Sequence, residues 1–176
     1  MTALKACIEL LDDQTDPKLK KTAETSLQRI EELLSALQEN ARARENRFDG
    51  ACYIADLESF IAQASKLDFQ IEGGEFILPM AQKGMEIILT QLLRNSKEHG
   101  ATRIHIRGFE TGLSFTDNGS GIDEIEKVFT PFYTTKRETG GTGMGLSIVE
   151  NVLKAHGGRI EPVKVDIGAR FDISFH

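Results

Sequence analysis

An α+β fold, a two-layer α/β sandwich with an antiparallel helical hairpin at its N-terminus, is what this 176-residue chain predicts. Three observations predict it. Ala23, Leu27, Ile30, Leu34, Leu37 and Ala41 alternate steps of four and three residues, the spacing of a heptad seam. Residues 113–117 alternate like a half-buried strand, while the run from Met85 to His99 carries apolar residues at helical intervals. Glycine-rich stretches then divide such segments from one another, and helices on one face of a mixed sheet accommodate the combination.

Taken in order, Leu4, Ile8 and Leu11 form a short apolar stripe ahead of the polar break Asp12-Asp13-Gln14-Thr15-Asp16-Pro17, whose proline suits the first turn of a following helix. The hairpin runs to about residue 43, with a linker over 44–49, which divides the chain into units 1–45 and 46–176. Two short-looped helices cannot bury one apolar seam between themselves, so a second copy completing a four-helix bundle is expected. The alternative is that both helices pack on the remainder of their own chain. Beyond the linker, the pattern predicts a strand over 51–54, a helix over 56–65, a strand over 68–72 and a turn at Gly73-Gly74. The helix ending near His99 comes next, then strands over 103–109 and 113–117, a glycine-rich lid, a helix to His156, a turn at Gly157-Gly158 and two closing strands.

Two stretches concentrate glycine: Asp117-Asn118-Gly119-Ser120-Gly121-Ile122 and Gly141-Thr142-Gly143-Met144-Gly145-Leu146. Glycine admits positive φ and lets backbone approach a ligand closely. The second stretch opens the helix carrying Val149, Val152 and Leu153, and a helix N-terminus presents unpaired N–H groups and a positive dipole end to phosphate. By itself a Gly-x-Gly-x-Gly run is also what a flexible surface loop contains. Neither Gly-x-x-x-x-Gly-Lys-Ser/Thr nor a strand-borne Gly-x-Gly-x-x-Gly is present, which excludes ordinary P-loop and dinucleotide sites. Asp117 ends its strand beside a glycine turn, where a carboxylate accepts hydrogen bonds without donating; in isolation Asp117-Asn118-Gly119 reads as a turn. Upstream, Gln91, Asn95 and His99 share one helix face at intervals of four, and an Asn95 amide oxygen is a suitable hard ligand for Mg²⁺.

Composition narrows the function classes. An apolar fraction of 40% supports a packed core, and a net charge of −6 without a basic, aromatic-interleaved run argues against a nucleic-acid surface. Cys7 and Cys52 are far apart and lack Cys-x-x-Cys spacing, which disfavours a metal or structural disulfide. There is no apolar run long enough to span a bilayer and no signal-peptide pattern, so a cytoplasmic module is expected, its parent being free to carry a membrane anchor.

In their order and spacing these stretches resemble the ATP-binding catalytic domain of sensor histidine kinases, a branch of the GHKL ATPases. The N-box is similar to Gln91 through His99, the first glycine box to Asp117 through Ile122, the aromatic F-box to Val128-Phe129-Thr130-Pro131-Phe132-Tyr133 and the second glycine box to Gly141 through Leu146. Gly168-Ala169-Arg170-Phe171 is a weaker terminal match, and the resemblance covers about residues 46–176. It implies a GHKL-type sandwich binding Mg²⁺ and ATP. Asp117 would accept the adenine amino group; Asn95 would coordinate Mg²⁺, with Gln91 as a second amide. Gly119, Gly121, Gly141, Gly143 and Gly145 would admit close backbone approach, with Thr142, Leu146 and the lid's Lys136 and Arg137 also on the nucleotide. Phe129 and Phe132 would anchor the lid by packing. Gln91 departs from the usual first N-box asparagine. Glu98 departs from a commonly basic position, with Lys97 displaced by one residue.

The hairpin resembles the dimerisation domain of the same kinases without its phosphoacceptor histidine. The histidines are His99, His105, His156 and His176, none of them in the hairpin, so no catalytic acceptor or base is assigned. The acceptor is expected just upstream of Met1 in a longer kinase; a stand-alone protein is the lesser alternative. The resemblance implies a homodimer, weakened by the short first helix, and a response-regulator receiver domain as partner, with no nucleic acid. Other classes kept open are a serine kinase of the same ATPase group acting on a sigma-factor system, and a non-catalytic dimeric scaffold or phosphotransfer protein with a relic ATP site.

Overall fold

A computed structural model describes residues 17–45, 47–136 and 141–176. Helix α1 spans Pro17–Glu45; strand β1 is Cys52–Tyr53; a 3₁₀ turn over Ile54–Leu57 leads into α2, Glu58–Ala64. Then come β2 (Asp68–Glu72), β3 (Ile77–Leu78), α3 (Gln82–Glu98), β4 (Arg103–Phe109) and β5 (Gly112–Asp117). A 3₁₀ turn at Ile125–Lys127 lies in the lid region, and α4 (Gly145–Ala155), β6 (Gly158–Val163) and β7 (Arg170–Phe175) close the chain. The expected first hairpin arm with Leu4, Ile8 and Leu11, the 12–16 break, Cys7 and Arg137 fall outside the described residues.

Five strands form a mixed sheet in the order β2-β4-β5-β7-β6; β1 and β3 pair separately. β2 runs parallel to β4, and the other neighbours are antiparallel. The parallel pair requires a crossover, and α3 lies in it. Strand alternation then decides the layers. Ile104, Ile106, Leu113, Phe115, Phe171, Ile173 and Phe175 are buried with the apolar side chains of α3 and α4, so helices cover one sheet face. Arg103, His105 and Arg107 take the opposite parity on β4. Met85, Ile88, Leu89 and Leu92 make the inward stripe of α3, and Ile148, Val149, Val152 and Leu153 that of α4.

Contacts at two helix ends fix how the chain enters and leaves the helical layer. Gly100, at φ +76°, follows α3; its N–H donates to the Lys97 carbonyl and that of Ala101 to the Ser96 carbonyl, a Schellman arrangement that turns the chain into β4. At the start of the sandwich, the Phe48 N–H donates to His156 Nε2, and the two rings stack with centroids 5.7 Å apart. His156 Nδ1 lies 2.8 Å from the Val152 carbonyl, so the ring donates there and accepts from Phe48 as the Nδ1–H tautomer.

Local departures from the sequence reading have physical causes. Residues 44 and 45 are helical rather than linker, because Ala41-Arg42-Ala43-Arg44-Glu45 consists of strong helix formers. Only Cys52 and Tyr53 of the 51–54 segment are strand; Ile54 turns inward to begin the 3₁₀ turn and is fully buried. Strand β3, absent from the sequence reading, is two residues long, too short for alternation to register. Helix α1 lies against α4 with Leu27 buried, while Ile30, Leu34 and Leu37 on the same seam stay exposed.

Candidate functional site

Strand parity places a carboxylate on the core side of the sheet. Leu113, Phe115 and Asp117 share the inward face of β5, and Asp117, paired in register with Ile104, is only 7% exposed. A buried carboxylate requires donors, and three converge on it. Ser96 Oγ–H donates to Oδ2 at 2.6 Å, and the Gly119 and Ala169 N–H groups donate to Oδ1 at 2.9 and 3.1 Å. The acidic side chain is thus fixed by α3, the glycine turn and the loop before β7. A carboxylate has about four lone-pair sites, so one remains on the Ser96 side for a further donor.

Asp117 lines a cavity of about 520 Å³ between α3, residues 121–136 and 141–143 and the N-terminus of α4. That volume suits a small-molecule ligand. Ile122, Ile148, Ala169 and Phe171 provide apolar wall; Arg94, Asn95 and Glu98 lie on α3 with His99 at its C-cap; Thr142, Gly143 and Gly145 lead into α4. The apolar wall together with Asp117 therefore favours a planar apolar group with an exocyclic donor, and the N-terminus of α4 favours an anion.

The lid segment is fastened at several points. Phe129 packs edge-on against Phe171 with centroids 6.4 Å apart. The Phe132 N–H donates to the Gly143 carbonyl at 3.0 Å, tying the aromatic stretch to the second glycine stretch. Gly143 takes φ +67°, and a Cβ there would stand 2.5 Å from the Phe132 backbone carbon, so close backbone approach requires glycine. Phe132 is 44% exposed and adopts φ +65° in the turn that brings its N–H to Gly143. Glu124 and Lys127 form an ion pair, and Lys127 Nζ lies 5.9 Å from the Tyr133 ring centroid. The Lys127 hydrogen bond pulls the Glu124 carboxyl below its ordinary range and raises Lys127; desolvation, then Glu124, pushes the Tyr133 hydroxyl up.

One family, the histidine kinase-, DNA gyrase B-, and HSP90-like ATPases, matches residues 80–176, more than half of the chain. The chain belongs to that family. Within it the chain is similar to sensor histidine kinases, and the matched stretch is an ATP-binding catalytic module of that kind. Sensor histidine kinase ZraS of Escherichia coli O157:H7 is 42% identical over 43% of this chain and 17% of its own length. Sensor histidine kinase CpxA of Escherichia coli K12 is 28% identical over 82% of this chain and 36% of its own. The structure of Acinetobacter baumannii histidine kinase AdeS has the same fold, with a TM-score of 0.61 at 19% identity, over 99% of this chain and 91% of that one. The chain spans about a sixth of the length of ZraS and about a third of CpxA.

In this ATPase frame, Asn95, Asp117, Gly121, Lys136, Gly141, Thr142, Gly143, Gly145 and Leu146 all line the one cavity. Gly119 lies just behind it, donating to Asp117. Gln91 does not line the cavity; it is buried between α3 and α4, its Oε1 without a hydrogen-bond partner and 3.1 Å from the position of a Gly145 Cβ. Lys97, one residue from Glu98, is exposed and likewise absent from the wall. Sequence reading missed Ser96, which holds Asp117, although its place directly after Asn95 on the buried side of α3 was a usable signal. It also missed Ala169 as a donor, a contact spanning 52 residues that no local pattern records. Arg94 carried no signal of its own, being one of several charged residues on an amphipathic helix.

Asn95 lines the cavity, and its amide oxygen is a hard donor of the kind Mg²⁺ accepts. Such a donor suits an ion which takes most of its shell from water and phosphate. No helix among the described residues is long and apolar enough to cross a membrane.

Proposed function

We propose that this chain is the cytoplasmic, phosphoryl-donating part of a sensor histidine kinase, delivering the ATP γ-phosphate to a histidine outside these residues for relay to a response-regulator aspartate. The observation that carries the proposal is the triply hydrogen-bonded Asp117 carboxylate lining the same cavity as the glycine-rich N-terminus of α4. Asp117 accepts the adenine amino group, with Ile122, Ile148 and Phe171 against the base. Thr142, Gly143, Gly145 and the α4 N–H groups face the phosphates, and Lys136 closes from the lid. Leu146 packs at the base of that rim, where Gly121 and Gly141 leave the backbone room.

Asn95 would hold Mg²⁺, which when bound neutralises phosphate charge and orients the terminal group. Gln91, buried behind Gly145, supports the α4 terminus rather than touching the ion directly. Phosphoryl transfer depends chiefly on positioning and charge compensation, and these residues do both without a covalent intermediate. The acceptor and its base belong to the helical dimerisation domain, of which α1 is the second arm. Ile30, Leu34 and Leu37 on α1 support a homodimer through the 1–45 unit.

A sigma-factor serine kinase is less consistent with a 29-residue helix ahead of the sandwich. A relic scaffold is less consistent with an open cavity and an intact Asp117 network. The test supplies, in trans, a histidine-kinase dimerisation hairpin bearing an acceptor histidine, with γ-labelled ATP. Acid-labile, alkali-stable label on the hairpin is the expected result; label on hydroxyl side chains, or none while ATP binds, would contradict the proposal.

A further inference from the structure

We propose that Arg94, held in place by Glu98, is the cation that receives the nucleotide's phosphate charge from the α3 side, an inference that rests on the nucleotide reading above. Arg94 and Glu98 stand one helical turn apart, with Nε and Oε1 separated by 3.6 Å and the side chains 49% and 41% exposed. An ion pair this open contributes little to stability. Its placement is what matters, since both residues line the cavity.

Charge balance inside the cavity favours a cation where phosphate would lie. Four carboxylates, Glu98, Asp117, Asp123 and Glu124, line it, against two cations among the described residues, Arg94 and Lys136. A polyphosphate entering such a wall meets a net negative field unless the bases sit where its charge arrives. Arg94 does so. A Cβ on Gly145, the first residue of α4, would lie 3.4 Å from Arg94 Nη2. The guanidinium therefore reaches the same helix N-terminus whose N–H groups favour anions.

The neighbouring groups fit this role. Guanidinium carries five N–H donors in a planar fork; Glu98 engages the Nε edge, which leaves the outer edge for phosphate oxygens. Gln91 is only 5% exposed, and its Oε1, without a partner, lies 3.1 Å from that same Gly145 Cβ position. Glu98 is then a positioning residue rather than a repelling charge, and Lys97, turned about 100° away on the helix, is not needed.

Titration calorimetry tests this with a non-hydrolysable ATP analogue and with adenosine, on wild type, Arg94→Ala, Arg94→Lys and Glu98→Gln. Arg94→Ala should weaken the ATP analogue about tenfold, one charge-assisted contact, and leave adenosine unchanged; Arg94→Lys should recover part of the loss. Glu98→Gln should weaken the analogue too, because Arg94 loses its anchor. Thermal midpoints should stay at the wild-type value in all three, which separates positioning from folding. Unchanged analogue affinity in Arg94→Ala, or tighter binding in Glu98→Gln, would overturn the proposal while the nucleotide reading stands. A wild-type protein that binds adenosine and the analogue equally, or neither, would overturn it together with that reading.

Discussion

Replacing Asp117 separates its two roles, because its carboxylate holds protein donors as well as facing the cavity. In Asp117→Ala the Gly119 and Ala169 N–H groups lose their acceptor in a site only 7% exposed; the Ser96 hydroxyl can turn to a carbonyl of its own helix. Each orphaned buried donor costs about 1–3 kcal/mol, so two cost about 4, and water entering from the cavity returns part of that. A net loss of about 3 kcal/mol in a sandwich of this size lowers the melting temperature by about 10 °C. Asp117→Asn behaves differently. Its amide oxygen still accepts from both N–H groups and its NH₂ can face Ser96 Oγ, so exchange of charged for neutral hydrogen bonds costs about 1 kcal/mol, or about 3 °C. The same NH₂ opposes the adenine amino group, donor against donor, and nucleotide affinity should fall at least about a hundredfold. Scanning calorimetry and titration on the two variants measure both quantities. Equal melting of all three proteins would refute the structural role, and undiminished nucleotide binding by Asp117→Asn would refute the adenine role.

Gly143→Ala forces a Cβ onto the Phe132 and Tyr133 backbone at φ +67°; it should reduce ATP-analogue affinity about tenfold through the lid, while the thermal midpoint moves by only a few degrees in calorimetry. Burial, then Asp56 and Glu86, push the Cys52 thiol up to about 11 from 9.0. Below pH 9 the thiol is neutral folded and unfolded; above it the unfolded thiol ionises first, so stability should fall between pH 9 and 11, and Cys52→Ala should remove that part of the slope in denaturant titrations.

Much of this architecture was legible because its signals are local. Residues 103–109 and 68–72 are strands at the expected bounds, and α3 and α4 occupy the two runs with helical spacing. Gly121, Gly141, Gly143 and Gly145 of the glycine boxes line the cavity, and positive φ with close approach leaves few substitutes at Gly143. What escaped depended on distance or on the path of the backbone. Ala169 meets Asp117 only because β7 pairs with β5, and Phe132 takes a positive φ only because of the turn to Gly143. Arg94 and Gln91 share a helix face only loosely in sequence, and it is the packing of α4 against α3 that brings both to Gly145.

Everything proposed for this chain requires the cavity facing Asp117 to be a working Mg²⁺-dependent ATP site. Calorimetric titration of a non-hydrolysable ATP analogue, with and without Mg²⁺, into wild type and Asp117→Asn tests it most directly. Binding that strengthens with Mg²⁺ and disappears in a folded Asp117→Asn protein is the predicted result; no binding to folded wild type under either condition would contradict it.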